Sequence, residues 1–154
     1  MKTTQWLVVS AALAIGTAVP AVAATTDPEV LIYRFPGVRD SPALEVATVF
    51  HCMNFSGADE TVRFVTRSGG GTLFTNVPVT IAHLATRTVS THFVSVYQGA
   101  TDLQTGVVGQ GTTAIAATSI NVICAGEVID ATAGKPIGIA RHGIRFNPAP
   151  GSQE

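Results

Sequence analysis

Gly, Pro, Asn, Asp and Ser interrupt this chain about every ten residues once its first 24 positions are passed. Between the interruptions lie short runs rich in Val, Ile, Thr and Ala, with little helical periodicity. Runs of that length, bounded that way, favour strand after strand and an all-β sandwich of about seven to nine strands. No internal repeat and no heptad pattern competes with that reading. The string Thr112–Ile120 is alanine-rich, but its flanking glycines and β-branched residues favour strand over helix.

Individual strands follow from the punctuation. Glu29–Phe35 is predicted to end at Pro36-Gly37. Leu44–Phe55 runs long, Glu60–Arg67 alternates, and Ser68–Gly71 makes a hairpin loop. Pro78 interrupts Thr72–Leu84 and predicts an edge strand or a bulge, because proline has no N–H for a ladder. Arg87–Val94, Gly111–Ser119, Asn121–Asp130 and Ile137–Phe146 complete the set. Residues 95–110 form the longest irregular stretch. On the long second run, Leu44, Val46, Phe50 and Cys52 share one face; Ala47, Val49, His51, Met53 and Phe55 share the other. Both faces are apolar, so this strand is expected at the centre of a sheet.

The first segment reads as an address. Lys2 supplies a positive start, Trp6–Val19 is apolar, and Ala21-Val22-Ala23-Ala24 offers small residues for a signal peptidase. The apolar run is too short to cross about 30 Å of hydrocarbon, and no later run does so. Residues 1–24 are therefore expected to be removed as a signal peptide. They leave a 25–146 sandwich domain and a flexible C-terminal tail at 147–154, with no membrane span in the mature chain. The expected location is outside the cytoplasm, periplasmic or extracellular. Without Lys2 the chain carries eight cations and ten carboxylates. A net negative chain lacks the basic footprint of a nucleic-acid binder.

Two cysteines in an exported chain imply one structural disulfide, Cys52–Cys124, closing a loop of 72 residues. Their separation does not suit a Cys-x-x-Cys redox site. The pattern is similar to an immunoglobulin-like sandwich, whose disulfide crosses between sheets. That likeness implies that the faces bearing Cys52 and Cys124 meet across the core. The chain departs from true immunoglobulin domains: Val122 stands two residues before Cys124 where they carry tyrosine, and residues 25–154 hold no tryptophan. The strings TVFHCMNFSG, HLATRTVSTHF, GTTAIAATSINVICAGEVIDA and GIRFNPAPGSQE resemble small exported bacterial β-sandwich proteins of unknown function. The resemblance implies a fold and a compartment but brings no activity.

Motifs of catalysis are missing. There is no Gly-x-Ser-x-Gly elbow, and Gly126–Lys135 fails the phosphate-loop spacing. Gly106, Gly109 and Gly111 are in the wrong order for a dinucleotide turn. No cofactor is expected. His51-Cys52-Met53 is the one chemically distinctive cluster, since imidazole and thioether both bind copper and alternation puts His51 and Met53 together. Four arginines form a second pattern. Arg63 and Arg67 share a face of one strand, Arg141 and Arg145 a face of the last. By analogy with sandwich folds these strands are expected to flank Asn121–Asp130 and to join Glu127 on one outer surface, a candidate anion-binding face. Asn54-Phe55-Ser56 matches a glycosylation triplet, discounted because such triplets recur by chance.

The sequence thus predicts an exported, non-catalytic β-sandwich that acts by binding or as a structural component of a bacterial envelope or surface. Its expected partner is a protein or an acidic glycan. The alternative is a periplasmic copper or small-ligand binder that uses His51 and Met53, and a hydrolase with an unrecognised site is a third reading.

Overall fold

The computed structural model describes residues 28–133 and 137–146. The expected signal peptide and the whole of the expected C-terminal tail lie outside the described residues.

The described residues form ten strands: β1 (Val30–Asp40), β2 (Val46–Asn54), β3 (Glu60–Ser68), β4 (Leu73–Ile81), β5 (Thr86–Ser90), β6 (Thr101–Asp102), β7 (Val108–Ala117), β8 (Val122–Asp130), β9 (Gly138–Arg141) and β10 (Ile144–Arg145). They form two five-stranded sheets, ordered β10-β1-β7-β3-β4 (sheet A) and β6-β5-β2-β8-β9 (sheet B). The all-β sandwich expected from the punctuation is the fold observed. Inward residues of both sheets make one core, including Ile32, Phe35, Phe50, Val62, Phe64, Val89, Ile115 and Val122. Phe50 of sheet B stands between Phe35 and Phe64 of sheet A, with ring centroids 5.2 and 5.9 Å away.

As its two apolar faces predicted, β2 lies at the centre of its sheet, between β5 and β8. Pro78 lies on β4, the edge of sheet A, where a missing donor costs no ladder bond.

Cys52 and Cys124 form the predicted disulfide, with α-carbons 4.1 Å apart. Its position differs from the immunoglobulin arrangement. The two cysteines face each other directly in the β2–β8 ladder, so the bond joins neighbouring strands of sheet B and not the two sheets. Side chains directly opposite on antiparallel strands have β-carbons close enough for such a bond.

Two predicted strand boundaries are corrected. Pro36-Gly37 does not end the first strand. β1 continues to Asp40 and absorbs Gly37 (φ 74°) as the extra residue where its register with β7 slips. The last run is not one strand either. It breaks at His142-Gly143: β9 pairs with β8 in sheet B, and β10 then pairs with β1 in sheet A. At the crossover a Cβ on Gly143 would sit 2.5 Å from Cζ of Phe35. The chain can change sheets there because residue 143 has no side chain.

Two stability outcomes follow. Replacing both cysteines with alanine should lower unfolding stability by about 4 kcal/mol in the chain-entropy model and leave the far-ultraviolet strand signal unchanged. Gly143→Ala should cost about 1–3 kcal/mol through overpacking against Phe35. An unchanged denaturation midpoint in either variant would contradict the corresponding account.

Candidate functional site

Three groups of polar side chains are gathered by the fold. The first surrounds His51 on the outer face of sheet B. The ladder sets His51 between Thr88 of β5 and Ala125 of β8, and Met53 between Thr86 and Ile123. His51 and Met53 thus share a face, as alternation predicted. That face is partly covered by the segment after β5. Val94, Val96, Tyr97 and Ala100 lie over Ala47, Val49, Ile129 and Ala131 as a second small core.

A polar clasp sits at the end of this strap. His51 Nδ1 lies 3.0 Å from Thr88 Oγ1, and Nε2 lies 3.3 Å from Glu127 Oε1. The Tyr97 hydroxyl donates to the same carboxylate oxygen at 2.6 Å, and its ring meets the imidazole edge-on at 4.7 Å. The bond to Glu127, with burial and the carboxylate charge behind it, pushes the Tyr97 hydroxyl pKa up to about 12. Both ring nitrogens of His51 therefore face protein partners. Copper would have to displace one of them, and no group of three His, Cys, Asp or Glu side chains suited to a metal occurs among the described residues.

The second group is the arginines, and here the expected arrangement is wrong. Arg63 and Arg67 of β3 and Arg145 of β10 belong to sheet A; Arg141 and Glu127 belong to sheet B. The single face of four arginines does not exist, because strand 60–68 pairs with β4 and β7 and never with β8. Arg141 is paired with Gly126, an inward position, and its guanidinium lies 3.6 Å from where a Cβ on Gly37 would be. Arg63 is clasped by Glu29 through two bonds of 2.6 and 2.8 Å and donates to Asn76 at 3.1 Å. Arg145 donates to the Ile120 carbonyl at 2.9 Å and lies 5.7 Å from the centre of the Tyr33 ring. Arg67 remains exposed and donates to the Gly71 carbonyl.

The third group was not singled out from sequence. Asp40 ends β1 with a side chain that is 0% exposed. One of its oxygens takes a short bond from His92 Nδ1; the other accepts from the Thr105 hydroxyl at 2.6 Å. Both partners come from the irregular segment between β5 and β7. They lie 52 and 65 positions from Asp40, so no local spacing announces them. The carboxylate fastens both ends of that segment to β1. Asn54 has a comparable role: wholly buried, it donates to the carbonyls of Ala58 and Ile81 and accepts from the Ser56 N–H. The glycosylation triplet is therefore occupied by the fold.

No protein-family model, curated protein or solved structure matches the chain. Among the described residues no helix is long and apolar enough to cross a membrane.

Tyr97 offers a direct check of the clasp. Its hydroxyl holds its proton more tightly when folded, so its stabilisation is complete below about pH 10 and lost as pH rises through about 12. An ultraviolet titration should show a late phenolate that disappears in Tyr97→Phe and returns toward 10 in Glu127→Gln. A late phenolate that persists in Glu127→Gln would refute the assignment. For copper, His51→Ala should lower stability by about 1–2 kcal/mol and leave Cu(I) titration the same as wild type. Loss of a stoichiometric copper site in that variant would revive the metal reading.

Proposed function

We propose that the chain is an exported, non-catalytic β-sandwich that works by binding, or as a structural component, in a bacterial envelope or on its surface. The observation that carries this reading is where the reactive side chains have gone. His51, His92, Glu127 and Asp40 are bonded to one another's strands and loops, and both cysteines are joined. Groups held in that way serve to fasten segments, which leaves the surface as the working part of the molecule. Export is supported by the disulfide, which persists in oxidising compartments. The signal-like segment 1–24 and the likeness of the strand strings to small exported bacterial proteins point the same way.

Expression of the full chain in a Gram-negative host tests this reading. The expected product begins at Thr25, leaves the cytoplasm and has thiols that resist alkylation until reduced. A chain that keeps its first 24 residues, stays in the cytoplasm and alkylates freely would overturn it.

A further inference from the structure

Charge is divided between the two sheets. The strands of sheet A carry Arg34, Arg39, Arg63, Arg67 and Arg145, and their two carboxylates, Asp40 and Glu60, are both buried. The strands of sheet B carry Asp102, Glu127 and Asp130 against Arg87 and Arg141. A chain that is net negative as a whole therefore presents one basic face.

The ladder draws that face in detail. On β7 the outward residues are Thr112, Ala114 and Ala116, all small. Arg34 of β1 stands beside Ala114, and Arg67 of β3 stands beside Thr112. Their backbones are two strand spacings apart, about 10 Å. Arg39 continues the outward row of β1. Arg34, Arg39 and Arg67 are exposed, and none has a carboxylate within 4 Å among the described residues. Arg63, by contrast, is neutralised by Glu29. Beside Arg67, β4 sets the exposed Leu73, and the exposed Phe74 and Asn76 follow along the same strand. The result is an open sheet face with Thr112, Ala114 and Ala116 at its centre, the aliphatic Val65 and Leu73 beside them, and three unneutralised guanidinium groups and the Phe74 ring around them.

We propose that the outer face of sheet A is a platform for a linear polyanionic polysaccharide bearing carboxylate or sulfate groups. The inference rests on the binding reading above and names its ligand. Three features select this class. The guanidinium fork pairs with carboxylate and sulfate in a bidentate way. The charges are spread over two strands of an open sheet face, which suits an extended chain better than a single small anion. Thr112, Asn76 and the Phe74 ring offer a sugar its hydroxyl partners and an apolar surface. Single-stranded nucleic acid needs several aromatic side chains on which successive bases can stack, and Phe74 is the one aromatic residue on this part of the face.

The test uses the mature, disulfide-bonded chain with polygalacturonate, dextran sulfate and uncharged dextran, read by isothermal calorimetry at low and high salt. The expected result is binding to one or both polyanions, weakening with salt, and none to uncharged dextran. Which polyanion binds separates carboxylate from sulfate. The double variant Arg34→Ala/Arg67→Ala should lose affinity by about tenfold or more, since it removes charge-assisted hydrogen bonds to the polyanion. Its melting temperature should be unchanged. Arg87→Ala on sheet B, the control, should bind as wild type does. Equal affinity in the double variant, equal loss in Arg87→Ala, or tighter binding of single-stranded DNA than of either polyanion would overturn the platform. If neither polyanion binds while the processed chain is still exported, the platform falls and the broader reading stands. If the chain remains unprocessed with free thiols, the broader reading falls by itself.

Discussion

The contact between Phe50 and Phe35 is the one on which the architecture most depends. It is the shorter of the two aromatic contacts that Phe50 of sheet B makes with sheet A, edge to face at 5.2 Å. Such a pair adds about 0.5–1.5 kcal/mol to the area it buries. Its larger effect is on what surrounds it. A Cβ on Gly126 would lie 3.0 Å from the Phe35 ring, and one on Gly143 would lie closer still. Two positions about a hundred residues after Phe35, in mid-β8 and at the β9–β10 crossover, thus lack side chains where this ring needs room. Tyr33 stacks on the other side of Phe35 at 5.7 Å, and Arg145 covers Tyr33 in turn. The sheet order at the end of the chain is built around one ring.

The irregular segment between β5 and β7 has a different basis. It has little ladder of its own beyond the two residues of β6. Scattered backbone bonds, such as Ser95 N–H to the Ala131 carbonyl and Leu103 N–H to the Ser90 carbonyl, are joined by side chains, with the Asp40 carboxylate at the segment's two ends and the Glu127 carboxylate in between. Each carboxylate is bonded by a histidine and a hydroxyl; Asp40 has both oxygens partnered, whereas the two bonds to Glu127 share its Oε1. A buried carboxylate stripped of such partners is among the costlier defects a fold can carry. His51, through Glu127 and the Tyr97 ring, and His92, through Asp40, both help to fasten this segment.

Features that depend on local chemistry were legible in the sequence. Pro78 marks an edge because its nitrogen lacks a proton wherever it is placed. Alternation correctly set His51 and Met53 together, opposite Cys52. Features that depend on which segment lies alongside were not legible. Alternation puts both cysteines on inward faces, and inward faces meet either side by side or across the core. The pairing of β2 with β8 decides between them. Pro36-Gly37 looks like a stop, but a bulge uses the same residues. The break at Gly143 answers to Phe35, more than a hundred positions earlier, so nothing within Ile137–Phe146 signals it. The arginine face failed for the same reason. Parity within each strand was correct for Arg63 and Arg67, yet the sheet to which each strand belongs was borrowed from another fold.

The covalent link between β2 and β8 also decides how the molecule bears mechanical load. It closes a ring from Cys52 to Cys124 that contains β3, β4, β5, β6 and β7. Tension applied through the two ends of the chain enters at β1 and β9–β10, outside the ring, and passes from one half to the other through the sulfur–sulfur bond. The strands inside the ring cannot be drawn out until that bond is reduced, so most of both sheets is shielded from shear. The extensible part is confined to the outer strands, and β10, with two ladder residues on β1, is the first to yield. A protein anchored at one end and pulled at the other would thus lengthen only by what the residues outside the ring can supply, and then stop.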